Sequence, residues 1–180
     1  MSKDFQVIDI TSPLFIKDEA EKINKILRDG SADLVHIRKP GSNEKEVEKL
    51  IQGISPIFYP RLKLHDHFEL LEKYPLGGIH LNLRNNRAKP NVSSISISFH
   101  SLDEIKKSGN YDYFFISPIF DSISKAGYKG KFDFTELSNV IRGKKAIALG
   151  GITPDKFNFL KSMGFSGAAM LGYFFPSTIK

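Results

Sequence analysis

Two hydroxyl groups and an ammonium group lie close together in Ser122-Ile-Ser124-Lys125, and Gly127 and Gly130 follow them. Hydroxyl groups and exposed backbone N–H groups donate hydrogen bonds to phosphate oxygens, and a lysine neutralises the charge of those oxygens. Glycine allows the backbone to approach such a ligand closely. This combination predicts a phosphate-binding loop. A surface loop with an incidental lysine would have the same composition, so the loop alone leaves both interpretations open.

The residues before this loop predict where it lies in the fold. The stretch that begins at Tyr111 starts as an apolar run, which is typical of a strand buried on both faces, and Pro118 marks where pairing should stop. Polar residues follow the other predicted strands in the same way. They are Arg38 after the second strand, Asp66 after the third, Asn82 and Asn85 after the fourth, Ser98 and His100 at the end of the fifth, and Lys125 after the sixth.

Side-chain alternation groups these polar residues further. Successive side chains of a strand point to opposite faces, so His36 shares a face with Arg38, and Ser98 shares one with His100. A lone histidine at a strand end is more often structural than catalytic. Several polar groups at the same ends of successive strands are a stronger indication, because a parallel barrel would gather them into one active site. We count Asn82 among the substrate-binding residues on this ground.

Glycines follow the last two predicted strands. Gly150-Gly151 comes after the seventh strand and Gly172 after the eighth. Barrels of parallel strands often bind phosphate there, through the N–H groups of loops and helix N-termini. These glycines could equally relieve crowding where a strand turns into a helix. We predict that they bind phosphate.

The chain of 180 residues is basic, with a formal net charge of +6 and an isoelectric point of about 9.4. Such a charge suits an anionic ligand, either nucleic acid or a small phosphorylated molecule. The basic residues are mixed with acidic ones along the chain, and no signature of a nucleic-acid-binding module occurs. We therefore expect phosphorylated small molecules, and not nucleic acid, as partners.

The composition is that of one globular domain spanning residues 1–180, because 41% of the residues are hydrophobic and 12% are aromatic. The absence of cysteine excludes disulfide bonds and thiolate zinc sites. No apolar run approaches the roughly 18 residues of a membrane span, and no signal-peptide pattern begins the chain. We expect a cytoplasmic protein that does not contact membranes. The sequence predicts no particular oligomeric state.

Strand and helix signals alternate along the chain. Eight apolar segments predict strands: Phe5–Ile10, Leu34–Ile37, Arg61–Leu64, Gly77–Leu81, Ser94–Ser98, Tyr111–Ile116, Lys145–Leu149 and Gly167–Leu171. Asp18–Leu27 has apolar residues at helical spacing, and Gly30 should end that helix. Ser101-Leu-Asp-Glu104 predicts a capping box, and Thr153 with Pro154 predicts the start of a later helix.

This alternation predicts an α/β fold, a compact (β/α)₈ TIM barrel. Such barrels usually need about 250 residues, so helices must be reduced here. We expect the reductions after the fourth strand, where Arg84–Ser93 has no apolar stripe, and after the eighth, where Tyr173–Lys180 is short. An open flavodoxin-like sheet is the alternative, although its usual order has only five strands.

Several segments resemble successive motifs of the thiamine phosphate synthase and thiazole tautomerase family. They are Val35–Lys39, Ser98–Glu104, Ser117–Lys125, Ala148–Pro154 and Gly164–Ala168. The resemblance extends from the first predicted strand to the eighth, and the Ser117–Lys125 motif is its most specific part.

The resemblance implies a barrel enzyme that handles a thiazole phosphate. In a synthase of this family, an aminopyrimidine methyl diphosphate loses diphosphate, and the thiazole nitrogen captures the resulting carbocation. Magnesium and cationic side chains compensate the charge of the leaving group. By resemblance, Arg38, Ser98, Ser122, Ser124 and Lys125 bind the diphosphate, Asp66 binds Mg²⁺, and Gly150, Gly151 and Gly172 bind the thiazole phosphate.

The sequence departs from the family pattern at three places. Where the family has an Asn-Asp pair after the third strand, this chain has His65-Asp66. Asn85 stands where the family has a second magnesium-binding aspartate, and Pro40 stands where the family has a lysine. Asp66 could serve alone, because Mg²⁺ often binds one or two carboxylates besides phosphate oxygens. Lys39, next to Pro40, could replace the missing lysine.

The tautomerase branch of the family needs neither diphosphate nor metal, because it only moves protons to aromatise the thiazole ring. His100 matches its proton-transferring histidine, and the unperturbed pKa of a histidine, roughly 6.5, suits that task. A third interpretation is a non-catalytic binder of thiamine intermediates that has lost its metal ligands.

Overall fold

The computed structural model describes residues 5–82, 86, 91–106, 109–121, 130 and 132–174. Eight strands occur in them: β1 (Gln6–Ile10), β2 (Leu34–Ile37), β3 (Leu62–Leu64), β4 (Gly78–Leu81), β5 (Ile95–Phe99), β6 (Tyr113–Ile116), β7 (Ala146–Leu149) and β8 (Gly167–Leu171). The α-helices are α1 (Glu19–Asp29), α2 (Glu44–Gln52), α3 (Leu102–Lys106), α4 (Phe134–Ile141) and α5 (Phe157–Ser162). Each predicted strand is confirmed within two residues of its expected bounds.

The strands form a closed barrel in the order β1 to β8. The registers given for neighbouring strands are parallel, such as Ile10 opposite His36 and Ser98 opposite Phe115. Backbone bonds near β1 and β8 close the barrel: the Gln6 N–H donates to the Ser166 carbonyl at 2.9 Å, and the Gly172 N–H donates to the Ile10 carbonyl at 3.2 Å. The predicted (β/α)₈ barrel is confirmed, and the open sheet is wrong.

The residues group by their contacts into two compact units. The first comprises Met1–Val7 with Ser96–Met170, and the second comprises Ile8–Ile95 with Leu171–Lys180. Each unit has its own apolar core. Fully buried members of the first core are Phe115, Ile141, Ile147, Ala148 and Leu160, and those of the second are Ile8, Ile23, Val35, Leu62, Leu70 and Ile79.

Local sequence signals fix the ends of several helices. Gly30 adopts φ 75° at the end of α1, a left-handed conformation that glycine reaches without steric cost. The Ser101 hydroxyl accepts a hydrogen bond from the Glu104 N–H, and the Glu104 carboxylate accepts one from the Ser101 N–H, both at 3.2 Å. The predicted capping box is therefore present at the start of α3.

The helix after β7 differs from its prediction. Thr153 and Pro154 do begin a helix, but its first turn, Pro154–Lys156, is a 3₁₀ helix that leads into α5. The Thr153 side chain makes no capping bond there.

The two helix reductions predicted from the sequence fall mostly outside the described residues. Between β4 and β5, the described residues Asn82, Asn86 and 91–94 contain no helix, and most of the predicted loop lies outside the described residues. After β8 the description ends at Phe174. The link between β3 and β4 contains only the 3₁₀ helix Phe68–Glu72. Within the residues described, no helix is long and apolar enough to cross a membrane.

Asp9 in β1 is a buried carboxyl group. It is fully buried, and neither of its oxygens has a hydrogen-bond partner in the part of the chain that the structure describes. Burial raises its pKa to about 7, repulsion from Glu19 adds to the increase, and Lys39 opposes it. Because Glu19 begins α1, Asp9 and its register partner Val35 face the helix-covered side of the sheet.

Arg61 ties the amino ends of β2 and β3 to α1. Its guanidinium donates to the carbonyls of Asp33 and Leu27 at 2.7 Å and of Ala32 at 2.6 Å. Carbonyls near a helix C-terminus have no partner within the helix, and a cation there is favourable. This one side chain therefore satisfies three acceptors between α1 and β2.

Asp9→Asn should stabilise the protein in a pH-dependent way. Below about pH 4 both folded and unfolded Asp9 are protonated, so the substitution should change little. Between about pH 4 and pH 7 Asp9 ionises only in the unfolded state, so the wild type progressively loses stability. Above about pH 7 the loss has reached its full size, at most about 4 kcal/mol. Denaturant unfolding of both proteins from pH 4 to pH 8 measures this difference. Exposed Asp103→Asn is the control, and a gain independent of pH would contradict the burial argument.

Arg61→Lys should destabilise the protein by about 1–3 kcal/mol, because an ammonium group cannot reach three carbonyls arranged around a planar fork. Arg28→Lys, at an exposed position in the last turn of α1, is the matched control and should change stability by less than about 0.5 kcal/mol. Chemical denaturation measures both variants. Equal stabilities for the two would show that the three bonds contribute nothing.

Candidate active site

Parallel register places polar side chains of β2, β3 and β4 on one face of the sheet. His36 lies opposite Ile10 and Lys63, and Lys63 lies opposite Gly78. Since Asp9 and Val35 face the helices, His36 and Lys63 face the inside of the barrel. Alternation adds His65 and His80 to this inner face.

The three histidines form a buried cluster. The nitrogens Nδ1 of His36 and Nε2 of His65 are 2.9 Å apart, at hydrogen-bond distance. The rings of His65 and His80 stack with centroids 4.3 Å apart, and the His36 ring stands edge-on to both. We call His36, His65 and His80 the histidine layer.

Burial holds two imidazoles of this layer, those of His36 and His80, in the neutral form. It lowers the pKa of His36 well below its ordinary value and that of His80 to about 3, and the positive charge of Lys63 lowers both further. The Lys63 ammonium donates to the Ser94 hydroxyl at 2.6 Å. A cation is thus buried beside neutral histidines.

Three predicted site residues lie just beyond the histidine layer. Arg38 directly follows β2, Asp66 follows β3, and Asn82 directly follows β4, all three half-buried. The Arg38 N–H donates to the Thr11 hydroxyl at 2.9 Å. The Asn82 amide donates to the His65 carbonyl at 2.7 Å, which holds the ends of β3 and β4 together beside Asp66. These three residues therefore occupy the strand ends where such barrels carry chemistry.

Lys39 does not take the place of the missing lysine. Its side chain is fully buried and its ammonium donates to Glu19 at 2.6 Å and to the Ser12 and Leu14 carbonyls at 2.9 Å each. An ammonium group has three protons, so none is left for a substrate. The sequence expectation that Lys39 replaces the lysine at the Pro40 position is wrong, because Glu19 engages it.

His100 directly follows β5 and is exposed. Its Nδ1 is 3.0 Å from the Ser117 carbonyl oxygen and 3.2 Å from the Ser117 hydroxyl. A carbonyl only accepts hydrogen bonds, so in the neutral ring Nδ1 carries the proton and Nε2 carries the lone pair. The imidazole is thereby oriented with a basic nitrogen away from Ser117. Ser98, two residues earlier in β5, is half-buried.

Gly150 and Gly151 form a tight turn after β7. Their φ angles are 97° and 62°, which side-chain-bearing residues rarely adopt. A Cβ on Gly150 would lie 2.9 Å from the Pro118 backbone, and one on Gly151 would lie 2.3 Å from the Asp121 carbonyl. Glycine is thus required by packing. Within the described residues, neither N–H donates to a backbone acceptor.

Gly172 differs from these two glycines. It has φ 67°, and a Cβ there would meet nothing within 4 Å. Its N–H already donates to the Ile10 carbonyl. Any contribution to phosphate binding would therefore come from its conformation and small size, and not from this N–H group.

Four predicted site residues, Asn85, Ser122, Ser124 and Lys125, lie outside the described residues. The flanks of the Ser122–Lys125 segment are described: the Gly130 N–H donates to the Asp121 carboxylate at 2.9 Å, and the Phe120 N–H donates to the Gly150 carbonyl at 3.1 Å. Both flanks therefore have defined partners.

Sequence reasoning missed the histidine layer and the Ser117 contact of His100. The first could have been found by aligning strand ends, because His36 and His80 each precede a predicted site residue by two positions. No sequence signal would have predicted the second, because Ser117 and His100 belong to different strand ends.

Comparisons with known proteins agree with this architecture. The sequence matches the family described as thiamine monophosphate synthase (TMP-TENI) over residues 7–174. No curated protein sequence matches significantly. The structure of a thiamine phosphate pyrophosphorylase from Bacteroides thetaiotaomicron is 34% identical, with a TM-score of 0.79 over 93% of this chain and 83% of that one.

Two more distant structures share the fold. A thiamine phosphate pyrophosphorylase from Pyrococcus furiosus is 18% identical, with a TM-score of 0.73 over 94% of this chain and 86% of that one. An HpcH/HpaI aldolase from Desulfitobacterium hafniense is 10% identical, with a TM-score of 0.58 over 93% and 87%. The family match spans nearly the whole chain, and this protein belongs to the thiamine monophosphate synthase family.

Proposed function

We propose that the protein is a thiamine phosphate synthase, which condenses aminopyrimidine methyl diphosphate with thiazole phosphate and releases diphosphate. The observation that carries this proposal is the 34% identity to a thiamine phosphate pyrophosphorylase over 93% of the chain. The family match over residues 7–174 supports it. Phosphorylated substrates also suit the net charge of +6.

The reaction breaks the bond between the pyrimidine methylene carbon and the diphosphate oxygen, and that electron pair leaves with the diphosphate. The lone pair of the thiazole nitrogen then forms the new bond to the methylene carbon. Charge develops on the leaving oxygens, so catalysis requires donors and cations aimed at them. Arg38, Ser98, Ser122, Ser124 and Lys125 supply these groups in our proposal.

The thiazole phosphate would bind beside the turn after β7. The N–H groups of Gly150 and Gly151 would donate to its phosphate, Gly172 would leave room for it, and Asn82 would contact the substrate after β4. Lys156 donates to the Gly151 carbonyl and lies 4.6 Å from the centre of the Phe120 ring. Those contacts hold the turn in place.

The residues present fit a magnesium ion with one carboxylate ligand. Asp66 is half-buried after β3 and would hold the ion, with substrate phosphate oxygens as further ligands, as Mg²⁺ commonly binds in such sites. When bound, magnesium neutralises charge on the leaving diphosphate. The second position expected of the family, Asn85, offers only a neutral amide.

A second candidate function, thiazole tautomerase, is favoured by the geometry of His100. Its Nδ1 proton is held by the Ser117 carbonyl, so Nε2 is the basic nitrogen. Such a nitrogen could remove a proton from the thiazole precursor and return it at another ring position, which makes the ring aromatic. This reaction requires no metal and no diphosphate.

Lys125→Ala should abolish magnesium-dependent condensation, with a loss of at least about 10²-fold in kcat, because a cation aimed at developing negative charge is removed. Lys125→Arg should retain part of the activity. Lys145→Ala, at an exposed position before β7, is the matched control. Steady-state assays of condensation with and without magnesium measure these effects. If Lys125→Ala turned over as fast as the wild type, Lys125 would not bind the leaving diphosphate as proposed.

His100→Ala should lower the tautomerisation rate by about 10²–10⁴-fold, the scale of one acid–base group, with no metal requirement. Ser117→Ala keeps the carbonyl that orients the ring and should have a much smaller effect. Assays on one protein preparation, first condensation and then tautomerisation, compare the two functions. An unchanged tautomerisation rate in His100→Ala would eliminate the second candidate. Binding of thiazole phosphate without either turnover would identify a non-catalytic binder.

A further inference from the structure

We propose that the histidine layer binds a divalent transition metal ion inside the unit of residues 8–95. The site would be separate from the magnesium site at Asp66, and it does not depend on the proposed synthase reaction. It would take Zn²⁺, Co²⁺ or Ni²⁺ through three imidazole nitrogens.

The spacing of the three rings is close to that of a metal site. One ligand nitrogen from each of His36, His65 and His80 lies within 4.8 Å of the other two. Ligands about 2.0–2.1 Å from a tetrahedral zinc ion lie roughly 3.3 Å apart. The 2.9 Å pair shares one proton, which would move to the other nitrogen of its ring, and the pair would then open slightly. The widest pair would close by movements of under about 1 Å per nitrogen.

One ring would also have to turn. The lone pair of an imidazole nitrogen lies in the plane of its ring, and the rings of His65 and His80 are inclined by only 20°. Rotation of one of them about its Cβ–Cγ bond would direct both lone pairs to a common point. The plane of the His36 ring is inclined at 72° to that of His65 and at 63° to that of His80, so the lone pair of His36 already approaches from a different direction.

The chemistry of the donors selects the class of metal. Imidazole suits zinc, cobalt, nickel and copper, whereas magnesium prefers oxygen ligands. All three histidines are 5% exposed or less. Neutral imidazoles are the metal-binding form. Three protein ligands would leave a fourth position for water.

Lys63 is the charged group that opposes this site. Its ammonium is buried, is held by the Ser94 hydroxyl, and acts electrostatically on both His36 and His80. It would repel a divalent ion. A substitution that removes this charge should therefore strengthen metal binding, whereas a purely structural histidine layer would bind no metal in either protein.

Titration of chelator-treated protein with Co²⁺ tests the proposal, because tetrahedral Co²⁺ absorbs in the visible range. We expect one equivalent to bind, His36→Gln or His80→Gln to weaken binding at least about tenfold, and Lys63→Met to strengthen it. His67→Gln is the matched control, because His67 lies outside the layer and contacts the Ser42 carbonyl. A large excess of Mg²⁺ should not displace the cobalt.

X-ray absorption of the wild-type Zn²⁺ complex provides a readout that does not depend on the folding of any variant. Three nitrogen ligands at about 2.0–2.1 Å are expected. The absence of a visible Co²⁺ band in the wild type would overturn the proposal. Binding that is lost equally in His67→Gln, or a zinc ion with oxygen ligands only, would also overturn it.

Discussion

The register between parallel strands is the constraint on which the polar part of this structure depends. Side chains alternate between the two faces of a strand, so a slip of one residue would exchange one face for the other. A slip in β2 would bring Val35 and Ile37 inside the barrel and turn His36 towards the helices. Arg61 opposes such a slip, because it fixes the segment before β2 to the start of β3.

Burial of ionisable groups is the second constraint, and this chain meets it in three ways. Lys39 and Glu19 form an ion pair completed by two carbonyls, so the charge of the lysine is compensated. Asp9 has no hydrogen-bond partner in the described part of the chain; its raised pKa keeps it neutral below about pH 7, at a cost in stability that grows from about pH 4 to pH 7. In the histidine layer, burial favours the neutral forms of His36 and His80. Lys63, beside them, is a buried cation whose ammonium group donates to the Ser94 hydroxyl.

Sequence patterns were sufficient for the fold and for positions along each strand, and insufficient for side-chain partners. Apolar runs and helical stripes predicted the eight strands, and Ser101 with Glu104 predicted a cap, because these signals are local. The role of Lys39 was not predictable, because its partner Glu19 lies in another element, twenty residues earlier. The histidine layer depends on the registers of β2, β3 and β4, which no single segment encodes.

Two of the three departures from the family pattern, those at Pro40 and His65, have a common physical consequence. Pro40 stands where a lysine is expected, and Lys39 cannot compensate because its ammonium is fully engaged. His65 stands where an amide is expected, and its ring is hydrogen-bonded to His36 in the inner layer. The ends of β2 and β3 are thus left with Arg38 and Asp66. A departing diphosphate requires more charge compensation than a ring that only exchanges protons. In the proposed synthase, charge compensation at these two strand ends would therefore come from Arg38 and Asp66, whereas proton transfer by His100 would require neither missing group.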